Sequence, residues 1–378
     1  MQEANASLGP EWQALELLCT ECSDDRSEQL AAALAAEPLH WGELLEHALL
    51  HQLLPLLALR VLELQASGDV QVPGRIAHHL AEVLEGNRWQ LQVMRREAVR
   101  VATALGERGL PLVATKGITF ESTIYRGLGV RKLKDIDFMI RPEDRDATAG
   151  VLARLGYRVG MFDRASGRIG PLPRRMHMIY MLNPDHLPRH VRLCDEAATP
   201  YLYVDFANSL TWHGSRYEVP VAEALASRRQ LELPGDVGAV PCFAPDFQFL
   251  FTVLHLFREA WHEQWLDYEL DVSLMKFADV IRLFDAHRED LVAVDFADLL
   301  QRYDLVKPVA WVLVHTDQTF GTDMAERTGL ADRVDADWLA AAYPSHGVER
   351  RWRGSMRERL WARDRRALFQ RLGTEERD

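Results

Sequence analysis

The chain has 378 residues, 48% hydrophobic and 26% charged, which is the composition of globular protein and enough length for two or three domains with sizeable cores. Its 44 Lys and Arg stand against 56 Asp and Glu, a formal charge of −12 that argues against broad, sequence-independent binding to nucleic acid or anionic membrane. The opening MQEANASLGPEW lacks the basic start and apolar run of a secretory signal, no stretch nears the roughly 18 uninterrupted apolar residues of a membrane span, and four cysteines cannot supply a disulfide framework, so a cytoplasmic protein with no membrane partner is expected.

From about residue 10 to 108, apolar residues recur at three- and four-residue spacing, as in LAAALAAEPLHWGELLEHALLHQLLPLLALRVLEL, and predict helix broken near Pro38, Pro55 and Pro73. The last of these helices is expected over 76–108, closed by Gly109. The pattern then changes. LPLVAT (110–115) reads as a short apolar strand, Lys116-Gly117 as a turn, ITFESTIYRG as a helix, GLGVR as a turn, DIDFMI as a second strand, and PEDRDATAGVLARLG as a helix with Pro142 in its first turn. Further strands are expected at YRVGMF, HMIYML and TPYLYVDFANSL, and the Gly-, Pro- and Arg-rich interval 161–177 reads as a mobile substrate loop. After Pro245 the chain turns helical again, through FQFLFTVLHLFREAWHEQW and VSLMKFADVIRLFDAHRED. It closes on ERRWRGSMRERLWARDRRALFQRL, expected as one amphipathic helix with nine arginines between 350 and 371 on a solvated face. The fold class is α+β: a helical N-terminal region (1–108), a central mixed-sheet core (109–240) and a helical C-terminal region (241–378).

The chemistry centres on Asp135-Ile136-Asp137. Residues i and i+2 of a strand share a face, so the two carboxylates project together while Ile136 and Phe138 face the core. Carboxylates side by side repel unless a cation joins them, and paired hard oxygen ligands suit Mg²⁺, which completes its shell with water and substrate phosphates. At Lys116-Gly117 the glycine allows backbone amides to approach a phosphate, Arg131 and Lys134 flank the acids and can balance phosphate charge, and Asp205 on the later strand LYVDFA offers a third carboxylate. Three carboxylates and a glycine turn are the parts of a two-metal phosphoryl or nucleotidyl transfer.

The stretch VATKGITFESTIYRGLGVRKLKDIDFMIRPEDRDATAGVLARLGYRV resembles the core of the nucleotidyltransferase superfamily typified by DNA polymerase β. More narrowly it is similar to a bacterial family of uncharacterised nucleotidyltransferases with an "LKG…Y…R…DIDLLV…A…L…LGY" pattern. Looser likenesses at HMIYM, YVDFANSLTW and LHLFREAWHEQW with LMKFADVIRLF extend it over most of residues 10–290. The resemblance implies that Asp135, Asp137 and Asp205 are catalytic and hold Mg²⁺ or Mn²⁺, and that Gly117 with Lys116, and Arg131, face an NTP co-substrate, which Lys134 is expected to meet from its place beside the acids. It departs from the superfamily's Gly-Ser loop, since Ile118 follows Lys116-Gly117 and no serine hydroxyl is available, and from the narrower family at Thr115, where an aliphatic residue is usual. The acceptor stays open between a small molecule and a protein or peptide; a catalytically inactive binding protein and an RNA- or tRNA-directed enzyme are the alternatives. Outside this motif, His177 is placed on the HMIYM strand near the acids, His255 in a helical core, Asp279 in helix packing, Lys276 in solvent, and the Cys19-Thr20-Glu21-Cys22 pair on a helix without a ligand.

Overall fold

The computed structural model describes residues 9–20, 24–182, 184–196, 199–342 and 350–371. The chain divides into two compact units, one built from its beginning up to Leu53 together with its end from Phe249, the other from residues 54–248. The first unit opens with helices α1 (Pro10–Thr20), α2 (Asp24–Ala35) and α3 (Trp41–Leu50).

The second unit holds the sheet. Helix α4 (Leu54–Ser67) leads to α5 (Gly74–Gly106), where Leu84, Leu91, Met94, Ala98, Val101 and Leu105 recur at spacings of three, four and seven and are buried as one stripe. The chain leaves this helix through left-handed Gly109 (φ 68°), with the Leu110 N–H donating to the Leu105 carbonyl. There follow β1 (Leu112–Ala114), α6 (Gly117–Ser122), β2 (Ile136–Ile140), α7 (Arg145–Arg154), β3 (Arg158–Val159), β4 (Met161–Asp163), β5 (Arg168–Gly170), α8 (Arg174–Leu182), β6 (His190–Glu196), β7 (Thr199–Ala207), α9 (Val221–Ala226), β8 (Arg229–Glu232) and β9 (Ala239–Cys242).

Seven of these strands form one mixed sheet in the order β3, β6, β7, β2, β1, β9, β8, as the alternating strands and helices of the sequence predict. β2 runs parallel to β7 and β1 parallel to β9, while the other pairs are antiparallel. Alternation decides the faces: Ile136, Phe138 and Ile140 of β2 and Leu202, Val204 and Phe206 of β7 join the buried stripe of α5 in one core. The rings of Phe138 and Phe206 stack 5.1 Å apart across the two central strands. The opposite face of β2 and β7 is left with Asp137 and with Tyr201, Tyr203 and Asp205.

Two expectations fail here. HMIYML is helix α8, not a strand: a short apolar run fits either period, and Pro173 sets the helical start, with its carbonyl accepting from the His177 N–H. The interval 161–177 is not one loop, because β4 and β5 pair as a hairpin turned by left-handed Gly167, with the Asp163 carboxylate accepting from the Ala165 N–H at 3.0 Å and the Ser166 hydroxyl at 2.6 Å.

The remainder of the first unit is α10 (Pro245–Trp261) from Phe249 onward, α11 (Leu274–Ala286), α12 (Arg288–Leu291), α13 (Val294–Arg302), α14 (Val306–Phe320), α15 (Met324–Arg327), α16 (Ala336–Ala340), β10 (Ala341–Ala342), β11 (Arg350–Trp352), α17 (Met356–Trp361) and β12 (Phe369–Arg371). The single arginine-covered helix expected over 350–371 is therefore replaced by strand, helix and strand. Left-handed Gly354 stops β11, and Ser355 with Glu358 forms a capping box that starts α17. The arginines are not all solvated either: Arg359 is buried, donates to the Asp271 carboxylate at 3.1 Å and to the Ala260 carbonyl at 2.7 Å, and Arg365 reaches the other Asp271 oxygen at 2.7 Å. Removing the shared carboxylate would leave buried positive charge without compensation. Asp271→Ala should therefore lower the unfolding free energy by about 3–5 kcal/mol in a denaturant titration, and a loss below about 1 kcal/mol would contradict the pairing.

Candidate active site

The turn after β1 is held by its neighbours. The Thr115 N–H donates to the Asp137 carbonyl at 2.9 Å, and the Lys116 carbonyl accepts from the Phe120 N–H and the Thr119 hydroxyl at 2.9 and 2.8 Å. Lys116 itself lies at φ 46° and ψ −123°, a backbone region that a residue with a Cβ enters only at a cost of roughly 1–3 kcal/mol. That conformation places its Nζ 3.4 Å from Asp137 Oδ1. Gly117 is buried, and a Cβ there would meet the Leu133 side chain so closely that the leucine would have to shift.

The loop between α6 and β2 is tied to α5. Buried Glu121 accepts from Arg95 of α5 and from the Gly129 N–H, while Asn87 donates to the Gly129 carbonyl at 2.8 Å. From this anchored turn the chain passes Arg131, whose charge acts on Asp137 and whose guanidinium donates to the Lys132 carbonyl at 2.8 Å, and reaches Asp135 just before β2. Lys134 is exposed on that approach; the main cationic influences on the acids come instead from Lys116, Arg131, His186 and Arg189.

Parallel pairing of β2 and β7 sets Asp137 directly opposite Asp205. Their side chains keep 17% and 22% of their surface, enough to be reached by an ion or a substrate. The segment ahead of β6 lies along β7, with the Leu187 N–H donating to the Phe206 carbonyl and the Asn208 N–H to the Asp185 carbonyl, both at 2.9 Å. That brings His186 Nδ1 to 3.3 Å from Asp205 Oδ2. Arg189 lies 5.1 Å from the centre of the Tyr203 ring, two residues before Asp205 on the same face, and the Tyr180 hydroxyl of α8 accepts from the Arg189 backbone N–H.

The electrostatics follow from this crowding. Burial, then the charges of Asp137 and Asp205, push Asp135 up to about 7. Burial also raises Asp137, with Lys116 opposing and Asp205 adding. For Asp205 burial acts upward too, but the charge and hydrogen bond of His186, helped by Lys116 and Arg189, outweigh it and hold the carboxyl well below its usual range. Burial and the nearby Asp205 push the Tyr180 hydroxyl up to about 12. Among the described residues, no group of three or more His, Cys, Asp or Glu side chains is arranged to close around a metal ion. The donor set of Asp135, Asp137 and Asp205 is all oxygen and mutually repulsive, the chemistry that a hard divalent ion relieves, and Asp137 and Asp205 are contacted by Lys116 and His186.

The profile of a protein family described as uncharacterised nucleotidyltransferase matches residues 37–321. The chain belongs to that family. No curated protein matches it. In this nucleotidyltransferase-family protein, then, Asp137 and Asp205 stand opposite each other on adjacent strands, Asp135 immediately precedes the first of them, the charges of Lys116 and Arg131 act on Asp137, Gly117 lies buried beside Leu133, and Lys134 is exposed.

His186, Arg189 and Tyr180 are site residues that the sequence reading passed over. For His186 and Arg189 the one signal was the basic string DHLPRH (185–190) immediately ahead of a strand. His177, expected on a strand by the acids, is exposed on α8. In the other unit, His255 and Lys276 both reach the buried Glu259 carboxylate, at 3.1 and 2.7 Å, so Lys276 is paired and not solvated, and Asp279 is buried on α11. Cys19 is buried, its thiol pushed up by burial and donating to the Leu15 carbonyl at 3.3 Å; Cys22 lies outside the described residues. No helix among the described residues is long and apolar enough to cross a membrane.

If packing fixes residue 117, Gly117→Ala should cost about 1–3 kcal/mol of stability. Leu133→Ala should relieve part of that cost in a double-mutant cycle; strictly additive losses would contradict the clash.

Proposed function

We propose that the protein transfers a nucleoside monophosphate from an NTP to an acceptor, with Asp135, Asp137 and Asp205 holding the divalent ions, Mg²⁺ or Mn²⁺. The observation that carries this reading is the in-register pairing of Asp137 with Asp205, with Asp135 two residues ahead, which crowds three carboxylates where burial makes their charge costly. Bound ions would lower the pKa of the attacking group and neutralise the triphosphate, which is their usual contribution in two-metal sites.

The chain's own residues do the positioning. Lys116 on its strained turn and Arg131 on the anchored loop present cations beside the acids, at the place the phosphates must enter. His186 fixes the Asp205 carboxylate from behind, so that its orientation does not depend on the substrate. The acceptor atom attacks the α-phosphorus, the bond to the β-phosphate oxygen breaks, and pyrophosphate leaves. The net charge of −12 favours a small molecule or a protein or peptide over long nucleic acid as acceptor.

Incubation with each α-labelled NTP, Mg²⁺ or Mn²⁺, and a cell extract should give label transfer by the wild type. Asp135→Ala with Asp137→Ala should reduce it at least roughly a hundredfold, since the groups that organise the reacting charge are lost. Equal transfer by the double variant would overturn the reading, and a folded wild type that labels nothing would favour a catalytically inactive binding protein.

A further inference from the structure

Arginine usually declares its partner by the hydrogen bonds it makes. In the second unit, half-buried Arg192 is matched by the Glu97 carboxylate at 2.8 Å, and buried Arg95 by Glu121. Arg189 is different: it is half-buried, yet among the described residues its guanidinium donates no hydrogen bond. Its backbone is clamped on both sides, the N–H by the Tyr180 hydroxyl and the carbonyl by the Gly160 N–H at 3.2 Å. Its side chain lies against the Tyr203 ring, a contact that fixes a guanidinium plane without using its donors.

We infer that Arg189 is a phosphate-binding residue of the candidate active site, holding its N–H fork ready for the triphosphate of the incoming nucleotide; this rests on the nucleotidyltransferase reading above. Two other assignments fit less well. A cation present only to neutralise the acids would pair with one directly, as Lys116 and His186 do at 3.4 and 3.3 Å, whereas Arg189 acts on Asp135 and Asp205 through its charge without a bond to either. A cation that only packs against an aromatic ring needs no clamped backbone and no place where its charge reaches Asp135 and Asp205. A planar fork with unused donors is matched by a planar or tetrahedral oxyanion. A phosphate group, arriving with divalent ions that cancel the carboxylate charge, is the oxyanion that this reaction brings to that spot.

The test is equilibrium binding of ATP, GTP, CTP and UTP, each with Mg²⁺, and of the matching monophosphates, to full-length wild type, Arg189→Ala and Arg189→Lys, with circular dichroism and melting curves to confirm folding. The wild type is expected to bind at least one triphosphate. Arg189→Ala should weaken that triphosphate roughly tenfold or more and the monophosphate far less, with Arg189→Lys in between because it keeps charge but loses the fork. Folded Arg189→Lys and Arg189→Ala proteins that bind the triphosphate within about twofold of wild type would overturn this inference alone. A wild type that binds no triphosphate would overturn the nucleotidyltransferase reading and this assignment with it.

Discussion

Repulsion among carboxylates on one sheet face is the constraint on which the rest of the site depends. Asp137 and Asp205 are opposed by the pairing of two parallel strands, and Asp135 stands immediately before the first of them. A protein that needed only a stable sheet would place apolar or hydroxyl side chains there, since burial raises the energy of each ionised carboxylate and each adds to the others' cost. The surroundings absorb part of that cost asymmetrically: His186 and Lys116 pair with Asp205 and Asp137, whereas at Asp135 burial and the neighbouring acids prevail and push the carboxyl up to about 7.

Holding such a cluster together requires a register that cannot slip. Ile136, Phe138 and Ile140 on β2, and Leu202, Val204 and Phe206 on β7, are buried under the stripe of α5, so a one-residue shift of either strand would turn its acid into the core and its apolar residues outward. The same helix fixes the approach to the site, because Arg95 and Asn87 anchor the turn around Gly129 from which Asp135 emerges. Lys116 holds a strained backbone beside the acids, locked by bonds to its carbonyl from both Thr119 and Phe120. Stability in the core thus supports unfavourable charge at the site, the trade expected where a sequence breaks the rules of burial for a functional reason.

Much of this was legible from residue order. The period of the apolar residues places α5, β1, β2 and β7 close to their observed bounds, and the spacing of Asp135 and Asp137 puts them on one face. Pairing was not legible: nothing in the sequence says that β7 lies against β2, so Asp205 could be proposed as a partner but not set in register. His186 and Arg189 could not be placed at the acids for a related reason, since their position depends on residues 185–187 lying along β7 and no periodicity announces that contact. The helix at 174–182 defeated the reading because an apolar run this short fits two periods, and the C-terminal arginines because their partner, Asp271, is distant in sequence and hidden in the core.

In the proposed site Asp137 and Asp205 share a divalent ion across the β2–β7 pair. Calorimetric titration of Mn²⁺ into full-length wild type, Asp137→Asn and Asp205→Asn tests it most directly, because it reads binding without needing the acceptor. Saturable binding by the wild type, weakened roughly tenfold or more by either substitution, is the predicted result. Binding that Asp205→Asn leaves unchanged, or none at all by the folded wild type, would contradict it.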